Sequence, residues 1–120
     1  MKLLRVLIVD DSSFMRKRLK DTLEKAGHQV VGAAQNGQEG YELFKKTKPD
    51  LVIMDVAMQG VDGIEGVRLI KRDFPHAKII FMSLVEDPKI REEASRLNIL
   101  GFIGKREHDK LLEIINELSL

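Results

Sequence analysis

Five short runs, at 3–9, 29–34, 51–54, 78–82 and 99–103, are each near-continuously apolar over part of their length. Strands buried on both faces read this way, as a parallel sheet covered by helices requires. Between the runs, apolar residues recur at steps of three and four, the spacing of one helix face. They are Met15, Leu19, Leu23 and Ala26; Gly40, Leu43 and Phe44; Ile64, Val67, Ile70 and Phe74; Ile90, Ala94 and Leu97; and Leu111, Ile114, Ile115 and Leu118. Punctuation residues agree with this alternation. Ser12 or Ser13 can cap the first helix, Gly27 can end it, and Asn36-Gly37 marks a turn before the second, which contains Gly40 and runs for about nine residues. Asp87-Pro88 reads as a cap followed by proline at the first helical position, and Asn98 as a left-handed cap closing that helix. Strand-then-helix units repeated along the chain predict an α/β doubly wound parallel sheet with helices on both faces, because each crossover is short and right-handed.

The chain has 120 residues, one domain's worth, with no linker or low-complexity tract, so residues 1–120 are expected to form a single unit. It has no cysteine, which excludes a disulfide framework, a thiolate zinc site and thiol nucleophiles. A metal must therefore sit on oxygen or histidine. A formal charge of +1 argues against binding nucleic acid through bulk positive charge. No run of about 18 apolar residues is present, so no membrane span is expected and a cytoplasmic location is.

The informative residues stand where the runs stop. Run one ends in Asp10-Asp11, run three in Asp55 and run four in Ser83, while Lys105 follows run five after Gly104. Taken singly, each aspartate is a turn former or a cap, Ser83 a loop hydroxyl and Lys105 a solvated charge. Taken together they mark successive strand ends on one edge of a sheet, where open α/β folds bind their ligands. With strands 1 and 3 as neighbours, as in the order 2-1-3-4-5, three carboxylates crowd one crevice. Their repulsion calls for a cation. Oxygen-only ligands point to a hard ion, and an incomplete protein cage suits Mg²⁺ better than Ca²⁺. Three carboxylates, a divalent ion and one lysine sum to about zero charge. A phosphoryl group added to one aspartate brings further negative charge, which Ser83 and Lys105 are placed to meet.

These residues carry a resemblance. Asp10-Asp11-Ser12-Ser13-Phe14-Met15-Arg16, Pro49-Asp50-Leu51-Val52-Ile53-Met54-Asp55 with Met58 and Gly63 beyond, Ser83, and Phe102-Ile103-Gly104-Lys105 resemble the receiver domains of response regulators, in particular their single-domain CheY-like members, over essentially the whole chain. The resemblance implies a flavodoxin-like fold and a signalling protein, not a turnover enzyme. It implies Asp55 as the phosphoacceptor for a histidine kinase or phosphotransfer protein, and Mg²⁺ held by Asp10, Asp11, Asp55 and the backbone carbonyl of Ala57. Asp11 would be a direct ligand and Asp10 would act mainly through water. Ser83 and Lys105 would meet the phosphoryl oxygens, and Phe102 would be an aromatic switch that turns inward when Ser83 moves. A downstream protein would bind the face made by helix 4, strand 5 and helix 5. The chain ends at the fifth helical segment, so output is expected by protein contact, from a monomer, in chemotaxis or another phosphorelay.

Several positions depart from the family pattern. Gln59 follows Met58 and Arg106 follows Lys105, where proline is common in both places. The second departure predicts either a trans bond or a strained loop, since a non-proline cis bond costs about 2.5–4 kcal/mol. Leu84 stands where a small residue is usual beside the phosphate pocket, Asn98-Ile99 where Gly-Ala is common, and Phe102 in place of the frequent tyrosine. These departures keep open an interaction module that works without phosphorylation. A phosphatase with an aspartyl intermediate needs Asp-x-Asp at strand 1, and flavin binding needs a Ser/Thr-rich phosphate loop; neither is present. Arg16, Lys17, Arg18 and Lys20 read as a solvated helix face, and His28, His76 and His108 have no metal spacing and no assigned role.

Overall fold

The computed structural model describes residues 2–58, 62–84 and 87–120. Gln59 lies outside the described residues. Strands β1 (Arg5–Val9), β2 (Gln29–Ala34), β3 (Leu51–Asp55), β4 (Ile79–Ser83) and β5 (Gly101–Gly104) alternate with helices α1 (Ser13–Lys25), α2 (Gly37–Thr47), α3 (Gly63–Asp73), α4 (Pro88–Ser95) and α5 (His108–Leu118). All strand pairs are parallel, and the order is β2-β1-β3-β4-β5. The expected doubly wound fold is present. Element ends moved: β1 starts at Arg5 rather than residue 3, and α2 has 11 residues rather than about nine. β3 and β4 extend to include Asp55 and Ser83, and β5 starts at Gly101, just after the left-handed Asn98 (φ 55°) and the Leu100 N–H bond to the Ile79 carbonyl.

Alternation along the strands divides the interior into two cores. Leu7, Val9, Val52, Met54, Ile79 and Phe81 face α2, α3 and α4, while Val6, Ile8, Leu51, Ile53, Ile80 and Met82 face α1 and α5. Burying each such side chain contributes about 1.5–3 kcal/mol, which is why period-two placement fixes the register of every strand. The helix starts are capped as the sequence suggests: Ser12 Oγ accepts from Met15 N–H, Asn36 from Glu39 N–H and Asp87 from Lys89 N–H. The end of α2 is unexpected. Lys48 takes the left-handed conformation (φ 44°), and the Arg5 guanidinium donates to the Thr47 and Lys48 carbonyls at 2.7 and 2.9 Å. With every strand pointing the same way, all five carboxyl ends lie on one rim.

Candidate functional site

Asp55 is the last residue of β3 and Asp10 follows the end of β1, its neighbour in the sheet, so parallel pairing alone sets the two carboxylates side by side. They are 3% and 2% exposed. Lys105, which follows β5, crosses the rim and places Nζ 2.9 Å from Asp55 Oδ2 and 3.0 Å from Asp10 Oδ2. Asp11 is exposed, and one carboxylate oxygen from each of Asp10, Asp11 and Asp55 lies within 4.8 Å of the others. The second oxygens are fixed by backbone: Ser12 N–H donates to Asp10 Oδ1 at 2.9 Å and Ala57 N–H to Asp55 Oδ1 at 3.2 Å. Gly63 closes the floor. A Cβ there would stand 2.1 Å from the Asp55 carbonyl oxygen, so only glycine lets α3 start against β3.

Burial dominates the electrostatics. It pushes the Asp55 carboxyl up to about 6, the hydrogen bond from Lys105 works against that rise, and the charge of Asp10 adds to it. Burial acts against the charge of Lys105, but its hydrogen bonds to Asp55 and Asp10 outweigh this and hold the ammonium above its ordinary value. Three carboxylates against one ammonium leave two negative charges among oxygen donors only. That donor set and that deficit fit a hard divalent cation. Magnesium is therefore chemically consistent with Asp10, Asp11 and Asp55, and Ala57 lies two residues beyond Asp55 on the same loop.

Ser83 ends β4 opposite Gly104, and its carbonyl accepts the Lys105 N–H at 2.8 Å. Leu84 is 66% exposed and, with Ser83 and Phe102, lines a cavity of about 290 Å³ beside the acidic cluster's rim. Phe102 is half-buried, its ring 6.2 Å from Phe81 and 5.2 Å from the Arg91 guanidinium. No cis peptide occurs among the described residues, so Lys105 reaches both aspartates through a trans bond to Arg106.

Three contacts escaped the sequence reading. Arg16 is not part of a solvated face: its guanidinium donates to the Asp10 carbonyl at 2.7 Å, fixing the turn that carries the acidic pair. His28 is buried, and its Nδ1 accepts the Leu4 N–H at 3.1 Å. Glu107 reaches back from the start of α5 to the Gly104 N–H at 3.0 Å. Arg16 sits one helical turn beyond the Ser12 cap, a spacing that gave some warning; the other two depend on loop geometry that no periodicity reports.

The pattern described as the response regulator receiver domain matches residues 6–116. The chain belongs to this family. It is 41% identical over 116 residues to the chemotaxis protein CheY of Thermotoga maritima, covering 96% of this receiver and 97% of that one. It is 40% identical over 114 residues to CheY of Bacillus subtilis, covering 94% and 95%. Among solved structures, the CheX-CheY-BeF₃-Mg complex of Borrelia burgdorferi superimposes with a TM-score of 0.89 at 26% identity, covering 97% of this receiver and 89% of that chain. This is a receiver of the CheY type, with the acidic cluster at the rim where the fold gathers its strand ends. No helix among its described residues is long and apolar enough to cross a membrane.

Proposed function

We propose that this receiver is a phosphorylatable switch of two-component signalling. Asp55 takes a phosphoryl group from a histidine kinase or a phosphotransfer protein, and the altered rim changes the affinity of the face formed by α4, β5 and α5 for a target protein, in chemotaxis or a related relay. The supporting observation is the Lys105 ammonium held between Asp55 and Asp10 with Asp11 beside them. In the transfer, an ionised Asp55 oxygen attacks phosphorus. A P–O bond forms as the bond to the donor's leaving atom breaks, and the leaving group keeps that electron pair. A carboxyl raised to about 6 is still ionised at neutral pH. Lys105 meets the charge spread over the phosphoryl oxygens, and the Ser83 hydroxyl is the second donor. Asp10, Asp11, Asp55 and the Ala57 carbonyl would hold Mg²⁺, which when bound neutralises charge on the transferring oxygens. Phe102 repacks against Phe81 as Ser83 moves.

The test is incubation with acetyl phosphate and Mg²⁺ followed by intact mass. A gain of about 80 Da in the wild type that disappears in Asp55→Asn is expected. Absence of the adduct with every donor tried would defeat the proposal. Target binding that Asp55→Asn and a phosphoryl mimic both leave unchanged would instead favour a module that works without phosphorylation.

A further inference from the structure

Lys105 belongs to a loop that lacks the family's proline, yet its amine is placed within 3.0 Å of two buried carboxylates. Something else must hold the backbone. β5 is an edge strand, so Gly104 turns one N–H and one C=O away from the sheet, where nothing in the ladder meets them. Glu107 meets both. Its Oε1 accepts the Gly104 N–H at 3.0 Å, and its own N–H donates to the Gly104 carbonyl at 3.0 Å. On the inner side the Lys105 N–H is tied to the Ser83 carbonyl at 2.8 Å. The Gly104–Lys105 unit is thus clamped from both edges, one residue ahead of the functional amine.

Three further features mark this contact as more than an ordinary helix cap. Glu107 is the N-cap residue of α5, but its carboxylate makes no capping bond to its own helix and is spent on β5 instead. Gly104 makes the room: a Cβ there would stand 2.8 Å from Glu107 Oε1. Lys110 Nζ holds the other oxygen, Oε2, at 2.6 Å. That pair is exposed and contributes little energy by itself, but it aims the carboxylate.

The geometry points to Glu107 as the positioning residue for Lys105, taking over the task that proline performs elsewhere in the family; this rests on the proposed phosphoacceptor role of Asp55. Glu107→Ala lowers the maximal rate of phosphoryl uptake from acetyl phosphate about tenfold and leaves Mg²⁺ affinity within about twofold, because misplacing a charge-stabilising group costs rate. Glu107→Gln, which keeps an acceptor for the Gly104 N–H, restores most of the rate. In the Lys105→Ala background Glu107→Ala has no further effect, since a residue acting through Lys105 cannot be additive with its loss. A rate equal to wild type in Glu107→Ala, or full additivity with Lys105→Ala, overturns the assignment. If the wild type accepts no phosphoryl group, the acceptor reading itself fails. The position of Lys105 is then read from the ¹⁵N resonance of its amine: a shift in Glu107→Ala that Glu107→Gln reverses supports the clamp, and an unmoved resonance overturns it.

Discussion

The Lys105 ammonium lies 2.9 Å from Asp55 Oδ2, an ion pair between residues 50 positions apart with both partners withdrawn from water. A pair of this kind says little about net stability while intact, but removing one partner leaves an uncompensated buried charge. In Lys105→Met, Asp10 and Asp55 face each other without their shared cation. Urea unfolding of the metal-free protein at pH 7 should show a loss of about 3 kcal/mol. Added Mg²⁺ should recover more stability in this variant than in the wild type.

Asp55 sets a pH dependence of metal binding. Its carboxyl is raised from 3.8 to about 6, with Asp10, Asp11 and Lys105 the charged groups around it. A proton competes with the cation, so Mg²⁺ affinity measured by calorimetry should fall as pH drops through about 6. In Asp55→Asn the weaker residual affinity should lose this step.

The same group shapes stability in the opposite sense. Because its folded value lies above its unfolded one, Asp55 favours folding below pH 4 and that contribution is lost as pH rises through about 6. At pH 8 without Mg²⁺, Asp55→Asn should be more stable than wild type, by up to about 3 kcal/mol at 1.36 kcal/mol per pH unit. Denaturant midpoints at pH 4 and 8 check this.

His28 works the other way. Burial lowers its imidazole below 6.5, and protonating Nδ1 would set an N–H against the Leu4 N–H that now donates to it. The stability tied to the neutral ring is complete above pH 6.5 and lost as pH falls. In the Asp55→Asn background, where the opposing titration is absent, the melting temperature should fall between pH 7 and 5, and His28→Asn should flatten that slope.

Gly63→Ala tests the floor of the site. With a methyl 2.1 Å from the Asp55 carbonyl oxygen, α3 must shift away from β3. A loss of about 1–3 kcal/mol is expected from overpacking, together with weaker Mg²⁺ binding at 25 °C in protein that calorimetry shows to be folded.

The fold was legible because burial on two faces leaves a signature in composition: Val6 to Val9 and Leu51 to Met54 have no polar position to spare. The members of the acidic site were legible for a related reason. Asp10, Asp55 and Ser83 interrupt apolar runs at their ends, and a parallel sheet converts ends of runs into one rim. What stayed hidden was the support. Arg16 sits among other cations on α1, so its bond to the Asp10 carbonyl has no compositional mark. Glu107 depends on the direction in which an N-cap side chain turns, and His28 on a backbone amide 24 residues away. The boundary of β5 slipped because Ile99 and Leu100 are apolar yet precede the strand, Leu100 meeting β4 only through its N–H to the Ile79 carbonyl at 2.8 Å.

The shared ammonium also acts as a completeness check. Asp10 and Asp55 both precede residue 105 in the chain, and neither β1 nor β3 alone brings a cation to Asp55. A chain cut before residue 105 would therefore bring Asp10 and Asp55 together with no ammonium between them. The repulsion between the two buried aspartates is thus relieved when the segment after β5 docks on the rim.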